Sequence, residues 1–190
     1  TKTNHYLDFS NGKLTVQGDI RLSSGDSAVS TLDMSNGISL AVNNIQIGNR
    51  NLLTDTKTFS GYNNYNYYTK ADEQYNGLDV YYKLAPWGGL FKQISLKAGK
   101  TYTFAAYVKG DQNCGVYMYG GTNIDGVGFG KITEWTRIHY TFVADSNAYT
   151  CRVENVVNES YLAVCGYSPI EGNKGYEDWT PAPEDVAQDV

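Results

Sequence analysis

"ISLKAGKTYTFAAYVKG", Ile94 to Gly110, reads as a strand that ends in a turn at Ala98-Gly99-Lys100 and a second strand that starts directly after it. Glycine in the middle of the turn supplies backbone freedom that other residues lack. The same grammar extends in both directions. Upstream, "LDVYYKL" (78–84) alternates Leu78, Val80 and Tyr82 against Asp79, Tyr81 and Lys83. Downstream come "CGVYMYGG" (114–121), "WTRIHYTFVA" (135–144), "YTCRVENVV" (149–157) and "YLAVCGYSPI" (161–170), parted by clusters of Gly, Asn, Asp and Ser. No stretch keeps the 3.6-residue period long enough for a helix, so the pattern predicts an all-β antiparallel sandwich or jelly roll of short strands. Within "RIHYTF" the inward face is Ile138, Tyr140 and Phe142, which leaves His139 on the surface.

Residues 1–47 form a separate, strand-rich attachment segment, with the jelly-roll module over 48–190. The segment carries Asn11-Gly12 and Asn36-Gly37, the dipeptide that suits two-residue hairpin turns. Its strands alternate weakly and hold few large apolar side chains, so it calls for packing on something else. Aromatic density rises after "IGNRNLL", Ile47 to Leu53.

The rings are lopsided: 17 Tyr against 6 Phe and 3 Trp. An all-β core accounts for about half of the tyrosines; the rest are amphipathic rings of the kind that meets a partner. Net charge is −5 with scattered Lys and Arg, which disfavours nucleic acid. Cys114, Cys151 and Cys165 show no CxxC and no companion His pair, so zinc is disfavoured, and reduced, buried thiols in a chain folded in a cytoplasm are expected. No apolar run has the length of a membrane span and no signal peptide opens the chain, which begins at "TKTNHYLDF" and leaves open a missing start.

Catalytic patterns are sparse. "GVGFG" (126–130) lacks a following helix and a Gly-Lys-Ser/Thr, so it reads as a loose loop. G-x-S-x-G and H-E-x-x-H are absent. Asp72-Glu73, Asp125, Glu134 and Glu177-Asp178 read as solvated turn residues, although a pair of acids across a cleft would be invisible in sequence. Loop carboxylates could hold a structural calcium, but no Asp-x-Asp spacing marks one, and no cofactor is expected.

What the rings offer is a platform. A pyranose has an apolar face of C–H groups rimmed by hydroxyls, and it stacks on flat rings flanked by amides and phenols. "GYNNYNYYTK" supplies Tyr65, Tyr67 and Tyr68 among asparagines, where a structural edge weighs equally. In "APWGG", Pro86 stiffens the loop and two glycines leave both faces of Trp87 uncrowded. Tyr117 and Tyr119 lie two apart, about 6.6 Å on one face of a strand, with Val116 and Met118 turned to the core and Tyr107 joining from a neighbouring strand. Trp135 and Trp179 read as packing.

The runs "GNRNLLTDTKTFSG", "ISLKAGKTYTFAAYVKG", "EWTRIHYTFVA" and "IEGNKGYEDWTPAPEDV", in this order, resemble a carbohydrate-binding-module-like domain that recurs in tail and baseplate proteins of phages infecting Gram-positive bacteria. The resemblance spans residues 48–186, and "HYLDFSNGKLTVQGDI" looks like the segment that often precedes that module. It implies a jelly-roll module of an accessory baseplate protein of phages of lactic acid bacteria, aiding adhesion to host cell-wall saccharides, carried on the virion and assembled in the host cytoplasm; the ring excess and the missing catalytic constellation make it non-enzymatic by expectation. Host cell-wall polysaccharide and, through residues 1–47, other tail proteins would be its partners; nucleic acid and membrane would not. The shared motifs, Trp135 and Trp179 included, look like scaffold, so Tyr65, Tyr67, Tyr68 and Trp87 are chosen from chemistry. Two rivals stand beside it: a decoration that touches other tail proteins without binding sugar, and a glycan hydrolase built on two facing carboxylates.

Overall fold

A computed structural model describes residues 50–65, 68–121, 125–155 and 159–186, together with the backbone of strands within the first 29 residues. The chain divides into two compact units, Thr1–Ile45 and Gln46–Val190. In the first, β1 (Tyr6–Ser10) and β2 (Lys13–Gln17) pair antiparallel from Tyr6↔Gln17 to Ser10↔Lys13, while Asn11-Gly12 itself lies outside the described residues. β3 (Leu22–Ser24) and β4 (Ser27–Val29) also pair antiparallel. The expected turn at Asn36-Gly37 lies outside the described residues.

The second unit is the expected antiparallel jelly-roll sandwich. Its strands are β5 (Asn63–Tyr65), β6 (Thr69–Tyr75), β7 (Leu78–Lys83), β8 (Gly89–Phe91), β9 (Gln93–Ser95), β10 (Thr101–Tyr119), β11 (Asp125–Val143), β12 (Ala148–Asn155) and β13 (Leu162–Glu171). A four-residue helix, α1 (Pro183–Val186), follows. Two strands are far longer than the sequence pattern suggests. "TYTFAAYVKG" and "CGVYMYGG" are one strand, β10, with register shifts between Val108 and Gly115. "GVGFG" is likewise no loose loop but the start of β11. Its Gly-x-Gly-x-Gly repeat has the period of a strand, with Val127 and Phe129 on one face and the glycines on the other.

The long hairpin stitches the two layers together. Through Gly110, β10 pairs with β13 on one side and with the second half of β11 on the other. From Cys114 onward it pairs with β12 and with the first half of β11. The first layer therefore runs β6-β7-β13-β10-β11, and the second runs β11-β10-β12-β9. β8 and β5 form a separate two-stranded ladder that packs beside the second layer, with β8 next to β12.

Between the layers sits the main core. Phe104, Ala106, Val108, Val116 and Met118 all come from even positions of β10 and meet Ile138, Phe142, Val153, Val164 and Tyr167. The inward set Ile138, Tyr140 and Phe142 is as expected, and so are Val116 and Met118. A smaller cluster covers the outer side of the first layer, where Leu78, Val80, Tyr107 and Cys165 pack under Tyr75, Trp135 and Trp179. Trp135 stacks on Tyr75 at 4.8 Å, and the Trp179 indole N–H donates to Thr56 Oγ1 at 3.0 Å, so both tryptophans are packing elements as expected. His139 is a half-buried ring stacked 4.0 Å from Tyr176.

All three cysteines are buried and unpaired. Burial pushes each thiol upward, Cys114 to about 11 and Cys165 to about 12, which suppresses the reactive thiolate. Ellman's reagent should therefore release no colour from the folded protein within minutes and three equivalents in denaturant; fast reaction in the native state would contradict the packing.

Candidate functional site

The outer face of the second layer is where sequence alternation and glycine placement coincide. With Val116 and Met118 turned inward, Tyr117 and Tyr119 must point out, and both are half-exposed. The ladder pairs Gly126 with Tyr117 and Tyr117 with Arg152; one row on, it pairs Gly128 with Gly115 and Gly115 with Glu154. Glycine is what lets Tyr117 lie down. A β-carbon at Gly115 would stand 2.7 Å from the Tyr117 ring, and one at Gly126 would stand 2.6 Å from its Cδ1. The ring therefore rests against bare backbone along the strand instead of standing up from it. At Gly128 a β-carbon would meet nothing within 4 Å, so that end of the face is open.

Next to this platform lies a sandwiched cation. The Arg152 guanidinium sits 4.2 Å from the Phe91 ring centre and 4.5 Å from that of Tyr119. Its Nη1 is 3.8 Å from Glu154 Oε1, and its buried Nε has no partner. Glu154 is 1 % exposed and accepts a hydrogen bond from the Tyr119 hydroxyl at 2.8 Å. Burial raises its carboxyl, while Tyr119, Lys83 and Arg152 oppose the rise. Burial also raises the Tyr119 phenol, and the bond to Glu154 raises it further.

Lys83, at the end of β7, is also 1 % exposed. Its ammonium donates to the carbonyls of Trp87 and Gly88 and lies 5.1 Å from the Tyr68 ring centre. Burial pulls it down to about 8 against the pull of Glu154. Trp87 thus stands on a turn fixed from both sides, because its own N–H also donates to Asn155 O at 2.8 Å. Its φ of 55° is rare for a bulky residue, and its side chain remains 52 % exposed.

Tyr65 belongs to the same face. It pairs with Gly89, whose β-carbon position would be 3.2 Å from Arg152 Cβ, and residues paired across antiparallel strands share a side. From Tyr117 on β10 to Tyr65 on β5 is three strand spacings, roughly 14 Å. Tyr65 is 59 % exposed. Of the rings picked from sequence, Tyr65, Tyr117 and Tyr119 therefore share one face, and Trp87 stands exposed on the turn that leads into β8.

Two others lie elsewhere. Tyr68 is 4 % exposed: the Asn64 side chain bonds both its N–H and its C=O, turning the chain inward, and its hydroxyl donates to Val153 O at 2.9 Å. Tyr107 is 9 % exposed and lies under the Arg137 guanidinium, 4.6 Å away, edge-on to Tyr75. It sits on β10 itself, not on a neighbouring strand, and faces outward from the other layer, so it cannot join Tyr117 and Tyr119. Tyr67 lies outside the described residues.

Phe91, Arg152, Glu154, Lys83 and the glycine floor went unnoticed in the sequence. Part of the signal was present: in "TCRVEN", Cys151 and Val153 mark the inward face, which assigns Arg152 and Glu154 to the side of the tyrosines. Chemically, the face combines flat rings, phenol and guanidinium donors and a carboxylate. The neighbouring charges of Lys83 and Arg152 lower the Glu154 carboxyl against the effect of its burial. No group of three His, Cys, Asp or Glu suited to a metal occurs among the described residues.

No family model and no curated protein matches the chain. Solved structures do. A family 16 carbohydrate-binding module is similar at TM-score 0.51 and 17% identity, over 64% of this chain and 100% of that one. A Clostridium thermocellum xylanase 10B fragment, CBM22-1 with its GH10 module and complexed with xylohexaose, is similar at TM-score 0.53 and 15% identity, over 66% of this chain and 29% of that one. The tandem CBM22-1-CBM22-2 domain of Paenibacillus barcinonensis Xyn10C gives TM-score 0.53 and 11% identity, over 68% of this chain and 47% of that one. At these identities the likeness is one of fold.

Proposed function

We propose that this chain is a non-enzymatic glycan-binding module, and that its ligand lies on the outer face of the second layer over Tyr117, Tyr119, Phe91 and Arg152, with Trp87 and Tyr65 at the margin. The observation that carries this is the Tyr117 ring laid flat on Gly115 and Gly126, beside an open edge at Gly128. A ring used only for packing would be covered; this one is half-exposed, with hydrogen-bonding groups around it. The named carbohydrate-binding modules of the same fold support the reading.

The setting we propose is a phage tail or baseplate, where the module assists adsorption to wall polysaccharide of a Gram-positive host and residues 1–47 attach it to other tail proteins. Support comes from the sequence motifs over residues 48–186. Many copies on one particle would raise a weak single-site affinity through effective concentration.

Calorimetric titration against xylohexaose, β-1,4-galactotriose and purified Gram-positive wall polysaccharide tests the binding. Trp87→Ala should weaken it about ten-fold, roughly 1.4 kcal/mol; unchanged affinity removes Trp87 from the site. A labelled module should decorate bacterial walls and lose them once the polysaccharide is extracted. Retention on stripped walls, with no glycan binding in solution, would favour the decoration role instead.

A further inference from the structure

We propose that Lys83 and Glu154 are positioning residues: a buried pair of opposite charges that holds the Trp87 turn and the Tyr119 ring in place for a ligand, at a cost to the stability of the fold. This deepens the glycan-binding proposal and rests on it for the ligand, though not for the positioning. The geometry is a relay beneath the face. Lys83 reaches up from β7 to the carbonyls of Trp87 and Gly88, and Glu154 reaches from β12 to the Tyr119 hydroxyl. Each is 1 % exposed, and each feels the other's charge. Each charge has its own partners, the Trp87 and Gly88 carbonyls for Lys83 and the Tyr119 hydroxyl and Arg152 for Glu154. A core position of this size is ordinarily apolar, and exchanging a buried charged pair for neutral groups of similar volume is often neutral or stabilising.

The groups around the pair set its pH behaviour. Facing it are Arg152 from β12 itself, Tyr117 and Tyr119 from β10, Tyr68 from the loop before β6, and Tyr167 from β13. The phenols are all raised by burial, so up to pH 9.5 they stay neutral and Lys83 is the member of this set that titrates on the alkaline side. Its folded value, about 8, lies below the ordinary 10.5, so between those values the unfolded chain holds more protons and stability rises with pH on account of Lys83. The charge-assisted hold on the Trp87 carbonyl is lost over the same interval. Binding should therefore fall while the contribution of Lys83 to stability grows, the opposite of what an ordinary stabilising contact gives.

The test compares wild type with the neutral double variant K83M/E154Q, whose Gln still accepts from Tyr119. Both are labelled with 5-fluorotryptophan, and the Trp87 line is assigned with W87F. In the unliganded double variant the Trp87 line should shift or broaden while the Trp135 and Trp179 lines stay. The melting temperature at pH 7 should equal or exceed that of wild type, and the gap should narrow by pH 9.5. Affinity for whichever of xylohexaose, β-1,4-galactotriose or wall polysaccharide the wild type binds should drop about ten-fold at pH 7. Wild-type affinity should decline about five-fold from pH 7 to pH 9.5, with the variant flat across that range. An unmoved Trp87 line, or a destabilised variant with wild-type affinity, would overturn the proposal. If the wild type binds none of the three glycans, glycan binding itself is refuted, and the fluorine spectra still decide the positioning.

Discussion

Tyr117→Ala should lower glycan affinity about thirty-fold, roughly 2 kcal/mol, and leave the urea-unfolding free energy within about 1 kcal/mol of wild type. The asymmetry follows from where the ring sits. It lies over the bare backbone of Gly115 and Gly126 and points away from the core, so its removal leaves no void between the layers. Its other side is available, and an aromatic face of this size contributes a few kcal/mol when a ligand desolvates it. Val116 next door is wholly buried and belongs to the core, so a truncation there should do the reverse, loosening the fold without touching the face. Thirty-fold weaker binding in titrations at constant melting temperature is the expected result. Unchanged affinity would move the ligand off this face.

Gly120→Ala carries the largest expected cost to stability, about 3 kcal/mol or more. Gly120 has a φ of 126°, a region that residues with a side chain avoid, and a β-carbon there would stand 2.0 Å from the carbonyl oxygen of Ala148. That oxygen is backbone at the start of β12, whose register against β10 is fixed from Cys114↔Asn155 to Tyr119↔Thr150, so it cannot swing aside as a side chain would. Gly128→Ala provides the contrast. It has open space and no positive φ, and its stability should change by no more than about 0.5 kcal/mol. Chemical denaturation of the two variants side by side checks the pair. Equal stability would mean that the end of β10 is not held as described.

The sandwich was legible because a strand writes its two faces into alternate positions. That rule held in β7, in the inward set Ile138, Tyr140 and Phe142, and in the division of Val116 and Met118 from Tyr117 and Tyr119. It says nothing about layers. Tyr107 and Tyr117 both face outward from β10, yet the strand passes from one layer to the other between them, so the two rings lie on opposite faces of the sandwich. Tyr68 escaped for a different reason: the Asn64 side chain holds its N–H and C=O, a local contact that strand alternation does not encode. Trp87 was visible through its neighbours, since Pro86 and two glycines leave it room. Lys83 and Glu154 were not, because a buried charge looks like a solvated one until its surroundings are known.

The unbroken course of β10 and β11 through both layers makes the sandwich one mechanical object. No seam exists along which the ring-bearing side could peel away, because the strand that carries Tyr117 is bonded, a dozen residues earlier, to β13 on the far side. Tension applied to a bound polymer would be passed along covalent chain into the opposite sheet, where it is shared, and not left to the few bonds at the point of attachment.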